Sequence, residues 1–309
     1  MILVLVLIFI LYAILIISLA IGSLKVDEIT VENTDPKTTF SVVIPFRNEA
    51  YNLPLLLTSI QKIKYPTSQV EFLFIDDQSS DNSLQIIQKW SSEIKTNIQV
   101  ITNKRHSNSP KKDAITTAIS IAKNDWIITS DADCIFSKNW LKSIDLFIQK
   151  TQPTMIVAPV NYQAKNTFLE QFQLLDFMSL QGTTIGGFGI GFPILCNGAN
   201  LGYKRKTFLK LKGFEGNDHI ASGDDLFLFE KFIKANKKSV KYLKSKAAIA
   251  TTFPVKSWTD LFNQRTRWAA KITSFSSIHI KLIGLLIMLV NFSFVYSICI
   301  ASIELFLVV

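Results

Sequence analysis

The chain has 309 residues, of which 48% are hydrophobic and 18% charged, with a formal charge of +9. That length suits one sizeable catalytic domain with additions, and the apolar content excludes disorder. The basic residues are scattered and no recognisable nucleic-acid module is present, which argues against nucleic acid as a partner. Three cysteines, Cys134, Cys196 and Cys299, are too few and too far apart for a disulfide framework or a zinc site, in keeping with a reducing cytoplasm.

The apolar excess lies at the two ends. Residues 1–22 carry no charged side chain. As a helix they would reach about 33 Å, enough for a hydrocarbon core of about 30 Å. A cleaved signal peptide would begin with Lys or Arg and carry a shorter apolar region, so residues 1–23 read as a retained transmembrane helix. A second uncharged stretch, 282–303, places another crossing within 280–309. All of the net charge lies between the two stretches, and a basic flank stays on the cytoplasmic side. The expectation is a multi-pass protein of the inner (cytoplasmic) membrane with its catalytic domain in the cytoplasm. The charge would also attract anionic headgroups.

Residues 24–38 read as a polar linker, 39–250 as the catalytic domain, and 251–279 as interface helices. Within the domain, 41–46 reads as a buried strand. Residues 52–63 read as a helix with Pro54 in its first turn, where proline is tolerated. Strand 70–75 follows, then a helix capped by Asp81 or Asn82 and running to Trp90. Strand 98–102, helix 111–122 and strand 126–130 complete the series. This alternation predicts a largely parallel sheet covered by helices on both faces, with ligands beyond the carboxyl ends of the strands. Gly186-Gly-Phe-Gly-Ile-Gly191 lacks the dinucleotide-binding spacing and reads as a mobile loop flanking the acceptor path.

Four clusters fall where such a fold collects ligands. Asp76 and Asp77 follow strand 70–75, where a carboxylate can accept hydrogen bonds from a nucleobase or a ribose; turn chemistry explains the same residues. Asp131-Ala132-Asp133 follows strand 126–130. On an extended backbone the two acids point the same way and offer oxygen ligands to Mg²⁺ or Mn²⁺. A pair of solvated acids in a surface turn is the alternative. Ser222-Gly223-Asp224-Asp225 precedes an apolar run; it reads either as a helix start with acids favourable to the dipole or as the seat of a general base. Gln264, Arg267 and Trp268 share one helical face. There Arg267 can pair with a diphosphate and Trp268 can stack on a sugar, although Trp and Arg are also common at membrane interfaces.

Together these clusters resemble the family 2 inverting glycosyltransferases of GT-A fold. The nearer branch is that of the cellulose, hyaluronan, chitin and poly-N-acetylglucosamine synthases and ceramide glucosyltransferases. The resemblance runs from about Phe40 to Lys271. It is carried by Val42-Val-Ile-Pro-Phe-Arg-Asn-Glu49, Ile75-Asp-Asp-Gln-Ser-Ser-Asp81, Lys111-Lys112, Asp131-Ala-Asp133, Cys196-Asn-Gly-Ala-Asn200, Gly223-Asp-Asp225 and Gln264-Arg-Thr-Arg-Trp268. It implies an α/β, Rossmann-like domain flanked by transmembrane helices, acting on a UDP-linked nucleotide-sugar donor. Pro45, Glu49, Asp76, Asp77, one of Lys111 and Lys112, Asp131, Ala132 and Asp133 would line the donor, with Asp133 and Asp131 on the metal. Cys196, Asn197 and Gly198 would border the acceptor, Asp225 with Asp224 beside it would be the base, and Gln264, Arg267 and Trp268 would hold the diphosphate and acceptor sugar. The implied product is a β-linked saccharide.

Two departures bear on this. Few residues follow Trp268, too few for the polymer channel of the full synthases, so the expectation is few additions, membrane partner subunits or a longer natural chain. Gly223-Asp224 also replaces the Thr-Glu of some relatives. The alternatives are a lipid-linked acceptor, a nucleotidyltransferase, and a non-catalytic sugar-nucleotide-binding subunit. His219, five residues before Asp224, is a weak candidate for the metal.

Overall fold

The computed structural model describes every residue except 1, 33, 95, 217–222, 271–276 and 309. A long apolar helix, α1 (Ile2–Lys25), leads into the α/β domain. There β1 (Phe40–Phe46), α2 (Leu53–Gln61), β2 (Val70–Asp76), α3 (Ser83–Glu93), β3 (Ile98–Thr102), α4 (Pro110–Ile121) and β4 (Trp126–Thr129) alternate as the apolar runs predict. The second half uses shorter pieces. They are β5 (Ile135–Phe136), α5 (Trp140–Thr151), β6 (Met155–Val157), β7 (Val160–Tyr162), α6 (Phe168–Gly189), β8 (Leu201–Lys204), α7 (Arg205–Lys210), α8 (Asp224–Asn236), β9 (Val240–Tyr242) and β10 (Ala250–Thr252), followed by α9 (Trp258–Ala270) and α10 (Ile278–Val308).

Seven strands form the main sheet in the order β3-β2-β1-β4-β8-β6-β9. Pairing is parallel from β3 through β4 and between β6 and β9; only β8 runs against its neighbours β4 and β6. A small sheet, β5-β10-β7, lies beside it. Alternate side chains of each central strand enter opposite cores, because successive Cβ atoms point to opposite faces. Val42, Ile44, Phe72, Phe74 and Ile128 meet α2, α3 and α5 through Leu53, Leu57, Ile87 and Trp140. Val43, Leu73, Ile75 and Ile127 meet α4 and α8 through Ile115, Ala118, Phe229 and Phe232. Each such side chain contributes roughly 1.5–3 kcal/mol when fully buried, so the two layers clamp the sheet and hold its carboxyl edge in place.

The glycine-rich segment is not the loop expected from its composition. Most of it continues α6, and the glycines are there for close approach. A Cβ on Gly186 would lie 2.3 Å from the carbonyl oxygen of Leu19, and one on Gly22 would lie 2.3 Å from that of Gly186. Gly189 is tighter still, with the Gly22 carbonyl oxygen at 1.8 Å from its ideal Cβ. Backbone thus meets backbone where α1 crosses α6, the same device by which small residues bring membrane helices together. Farther along α6, the fully buried Gln173 exchanges two hydrogen bonds with Val255: its Nε2 donates to the carbonyl at 2.9 Å, and its Oε1 accepts from the amide at 3.0 Å. α6 therefore links α1 to the segment that leads into α9.

Leu3–Lys25 and Ile278–Ile298 are helices long and apolar enough to cross a membrane. Leu3, Leu7, Ile14, Ile17 and Leu24 of the first are exposed. The crossing predicts opposite effects for two glycines of one helix. Gly186→Ala should destabilise by about 1–3 kcal/mol through overpacking. Gly182→Ala, where an added Cβ meets nothing within 4 Å, should be neutral or gain up to about 1 kcal/mol of helix propensity. Thermal melts of the two variants in detergent make the comparison, and equal melting temperatures would contradict the close crossing.

Candidate active site

The carboxyl edge of the sheet is extended by hydrogen bonds beyond the strand ends. The Asp77 amide donates to Phe46 O at 2.9 Å, Asn103 to Asp76 O at 2.8 Å, and Ser130 to Val43 O at 3.1 Å. Loops starting at 47, 77, 103 and 131 therefore begin side by side. The first two are locked together. Asn48 Oδ1 accepts from the Ser80 amide at 2.8 Å, the Glu49 amide donates to Ser83 Oγ at 2.7 Å, and the Ala50 amide to Asp81 Oδ2 at 3.1 Å. Asn48 and Gln78 take left-handed backbone angles, with φ of 57° and 61°. Non-glycine residues hold that conformation at a cost, and such positions gather at functional sites. At the start of α3, Asn82 is the N-cap but its side chain makes no capping bond; Asp81 Oδ1 accepts from the Ser83 amide at 3.0 Å instead.

The two residues of the first acidic pair have different partners. Asp76 makes a turn, its Oδ1 accepting from the Ser79 amide at 3.0 Å. Asp77 is gripped by Arg105, whose Nε and Nη2 each lie 2.7 Å from a carboxylate oxygen, and by Asn103 Nδ2 at 2.7 Å. Burial pushes the Asp77 carboxyl up, but the bonds from Arg105 and Asn103 outweigh it and hold the group below the usual carboxylate range. Pro45 stands opposite Ile75 at the end of the β1–β2 pairing. Neither Arg105 nor Asn103 stood out in the sequence, since a lone arginine in a polar loop has no pattern. Their one signal was position, just beyond β3 on the edge already singled out by its neighbours.

Asp131 and Asp133 do not sit on extended backbone. β4 ends at Thr129, and the Cys134 amide donates to Asp131 O at 3.2 Å, closing a turn around the buried Ala132. The turn gives the two acids different partners: Asp131 Oδ1 meets Lys111 Nζ at 2.6 Å, while Asp133 Oδ2 accepts from Thr252 Oγ1 of β10 at 2.7 Å. They still feel each other. Burial, and then the charge of Asp131, raise the Asp133 carboxyl above its ordinary pKa. Glu49 is raised by burial, against its bond from Asn52, and further by Asp133 and Asp131. Two hard oxygen donors under mutual repulsion suit a divalent cation. Among the described residues no group of three or more His, Cys, Asp or Glu is placed to hold a metal. His219 and Ser222 lie outside the described residues.

Of the two adjacent lysines, Lys111 reaches this edge. Its Nζ lies 2.6 Å from Asp131 and 3.4 Å from Asp224. Burial alone would lower its pKa; the charges of Asp131, Asp224 and Asp225 reverse that and hold it well above the ordinary lysine value. Lys112 is buried, with its ammonium 5.1 Å from the centre of the Phe227 ring. Gly223, at φ 85°, opens α8 and sets Asp224 and Asp225 in its first turn, where the helix dipole favours negative charge. Asp225 Oδ2 accepts from the Gly198 amide at 3.1 Å, and Asp225 Oδ1 accepts from the Leu226 amide at 2.8 Å. An ideal Cβ on Gly198 would come within 3.1 Å of Asp225 Cβ and 3.4 Å of Asp224 Oδ2, so the two acids pack closely against the glycine and a larger residue would press on them. Cys196 is half-buried against the second core, and Asn197 caps the following turn by accepting from the Ala199 amide at 2.9 Å.

On α9, Gln264 and Trp268 are half-buried, and Trp268 packs against the first core. Arg267, expected beside them, is exposed. Arg265 is the arginine held against the domain: it pairs with Asp176 of α6 at 2.6 Å, donates to Gln264 Oε1 at 2.7 Å, and stacks 4.2 Å above the Trp268 ring. Sequence reasoning passed over Arg265 because helical spacing grouped its neighbour with Gln264.

A doubly covered, mostly parallel sheet with acidic loops at its carboxyl edge defines an α/β domain of the type that binds ligands beyond its strand ends. The family model described as Glycosyl transferase family 2 matches residues 41–211, more than half of the chain, and the chain belongs to that family. It is 31% identical over 111 residues to the poly(ribitol-phosphate) beta-N-acetylglucosaminyltransferase TarS of Staphylococcus aureus, across 36% of this chain and 19% of TarS. It is 26% identical to the probable glycosyltransferase YdaM of Bacillus subtilis, across 77% of this chain and 56% of YdaM. A third relative is the beta-monoglucosyldiacylglycerol synthase of Trichormus variabilis, 26% identical across 48% of this chain and 33% of that protein. The chain thus spans less than two thirds of each of these curated relatives. Two solved structures share the fold. TarS 1-349 in complex with UDP-GlcNAc has a TM-score of 0.53 at 20% identity, covering 71% of this chain and 59% of that one. The mannosyltransferase PcManGT of Pyrobaculum calidifontis, in complex with GDP-Man and Mn²⁺, has a TM-score of 0.62 at 15% identity, covering 89% and 78%.

The raised Asp133 carboxyl yields a stability prediction. An acid whose folded pKa is raised costs stability above that pKa, and the cost vanishes once pH falls below the unfolded value. Asp133→Asn should therefore raise the metal-free melting temperature at neutral pH, with the gain shrinking to nothing at strongly acidic pH. Melting curves across that range decide it; a gain that grows on acidification would have the wrong sign.

Proposed function

We propose that the protein is a membrane-anchored, inverting glycosyltransferase that moves a sugar from a UDP-sugar to an acceptor hydroxyl, forming a β-glycosidic bond. The observation that carries this reading is the meeting of three acidic groups from separate segments at one sheet edge: Asp77, the Asp131–Asp133 pair, and Asp224–Asp225, with Lys111 joining the last two. Asp77, backed by Arg105 and Asn103, offers a nucleobase both an acceptor and a donor. A uracil edge, with its N–H between two carbonyls, fits that alternation. Asp131 and Asp133 would hold Mg²⁺ or Mn²⁺, which would neutralise charge on the departing diphosphate. Lys111 supports that charge from the protein side.

Asp225 is the general base. It sits at a helix N-terminus, held by the Gly198 amide, and it takes the proton from the acceptor hydroxyl as that oxygen attacks the anomeric carbon. Attack from the face opposite the nucleotide inverts the centre, as in other single displacements with one activating carboxylate. The leaving diphosphate is a stabilised anion, so no acid is required. Positioned general bases contribute roughly 10²–10⁴-fold to rate. Asp225→Asn should therefore keep UDP-sugar affinity, measured by calorimetry, and lose transfer by that factor. Turnover at the wild-type rate would remove Asp225 from the mechanism.

The acceptor is a saccharide in the leading reading. One observation favours a lipid-linked acceptor as the second. Phe168 and Phe172 of α6 and Trp258 and Phe262 of α9 are exposed large apolar side chains, and the rings of Phe168 and Phe172 lie 6.2 and 5.9 Å from Trp258. Trp258 and Phe262 also line an open cavity of ≈ 590 Å³ with Thr259, Leu261 and Arg265. Contiguous apolar surface of this kind suits acyl chains or the bilayer surface. Incubation with labelled UDP-sugars and Mn²⁺, followed by phase partition, separates the readings: label in the organic phase assigns a lipid acceptor, and label in the aqueous polymer fraction assigns a saccharide.

A further inference from the structure

The linker after α1 is strapped to the end of β9. Ile29 donates its amide to Lys244 O at 2.8 Å, and Lys244 Nζ donates to the carbonyls of Ser23 and Val26 at 3.0 and 3.1 Å. That ammonium answers the partial negative charge at the helix carboxyl end and fixes where α1 leaves the domain. The start of α10 lies close by, since His279 in its first turn meets the Phe192 ring edge-on, with centroids 5.7 Å apart. Between these two points opens a cleft of ≈ 410 Å³ whose walls include Phe188, Pro193, Lys237, Lys238 and Lys241, with Val26 and Asp27 at the end of α1. Both long apolar helices therefore leave the domain at the rim of one basic cleft.

The charge there is predominantly positive, with Asp27 facing Lys237, Lys238 and Lys241 as the acid among the residues that line the cleft. From 231 to 259 the chain has eight lysines and no acid. Lys237 and Lys238 are exposed and Lys241 is half-buried, and none of the three makes an ion pair among the described residues. Tyr242 forms part of the apolar wall, packed against Phe188 with ring centroids 5.7 Å apart. Apolar walls, three unpaired ammonium groups and a place at the mouth of two apolar helices match an anionic lipid: acyl chains along the helices, phosphate among the lysines.

We propose that this cleft binds the headgroup of an anionic phospholipid and so seats the catalytic domain on the membrane surface. The assignment rests on the membrane-anchored reading given above. The test uses the full chain in nanodiscs of equimolar phosphatidylcholine and phosphatidylglycerol, with lipids that remain bound after release identified by native mass spectrometry. Wild type should retain phosphatidylglycerol over phosphatidylcholine. The triple variant Lys237→Gln, Lys238→Gln, Lys241→Gln should lose that preference by roughly tenfold or more with an unchanged melting temperature. Lys206→Gln with Lys210→Gln, two charges outside the cleft, should keep it. Equal retention by the triple variant, equal loss in the control pair, or displacement of the lipid by millimolar inorganic phosphate would overturn the site. Alkaline carbonate extraction separates the two levels. Release of wild type from membranes removes the anchored reading itself, whereas an integral chain with no lipid preference removes only the cleft.

Discussion

Lys111 places one ammonium between carboxylates from opposite halves of the domain, Asp131 after β4 and Asp224 at the start of α8. Without it, Glu49, Asp131, Asp133, Asp224 and Asp225 would crowd one edge with nothing to balance them, and like charges at close range in a partly desolvated site are costly. With it, acids still outnumber the ammonium, and the carboxyls of Asp133 and Glu49 are raised, first by burial and then by the neighbouring carboxylates. A diphosphate could not approach such a surface unaided. This imbalance is the physical reason to place a divalent cation in the proposed mechanism: it would turn a repulsive edge into one that attracts both phosphate and carboxylate.

The chain reaches this arrangement by reversing one strand. The parallel series β3-β2-β1-β4 accounts for the donor side, and a further parallel strand would have needed another crossover. β8 instead runs against β4, which returns Cys196, Asn197 and Gly198 to the carboxyl edge next to Asp131. α8 then starts beside Gly198 and presents its first turn. β10 of the small sheet completes the set by tying Asp133 through Thr252. Residues more than a hundred positions apart meet because the sheet edge and these short return segments share one end of the domain.

What could be read in advance follows the same division. The first four strands and their helices are legible because strands buried on both faces are continuous apolar runs, as Val42-Val-Ile and Phe72-Leu-Phe-Ile show. Strands of two to four residues such as β5 and β10 carry no periodicity, so the small sheet, and with it the Thr252 contact, was out of reach. Asp131 and Asp133 were recognisable by type and place, but not their turn, which depends on Ala132 being buried and on the Cys134 amide closing back. Gly186 to Gly191 misled because glycine usually marks turns. There the tertiary demand for backbone contact with α1 outweighed the propensity loss of glycine in a helix. Arg105 and Arg265 were invisible for a common reason: each acts through a partner, Asp77 or Asp176, that only the fold brings near.

That same glycine contact gives α6 a role beyond packing. At its carboxyl end it holds α1 backbone to backbone through Gly186 and Gly189. At its middle it holds the entry to α9 through Gln173, and α9 itself through the Asp176–Arg265 pair. Backbone contacts and buried paired amides have little give, since interiors are close-packed and transmit displacement. Any tilt of α1 should therefore reach the helix that carries Gln264 and Trp268 with little loss. On the membrane-anchored reading, the position of the domain on the bilayer and the geometry of the acceptor side are then one variable. A headgroup seated in the cleft at the carboxyl end of α1 would bear on it from the point where the lever is fixed.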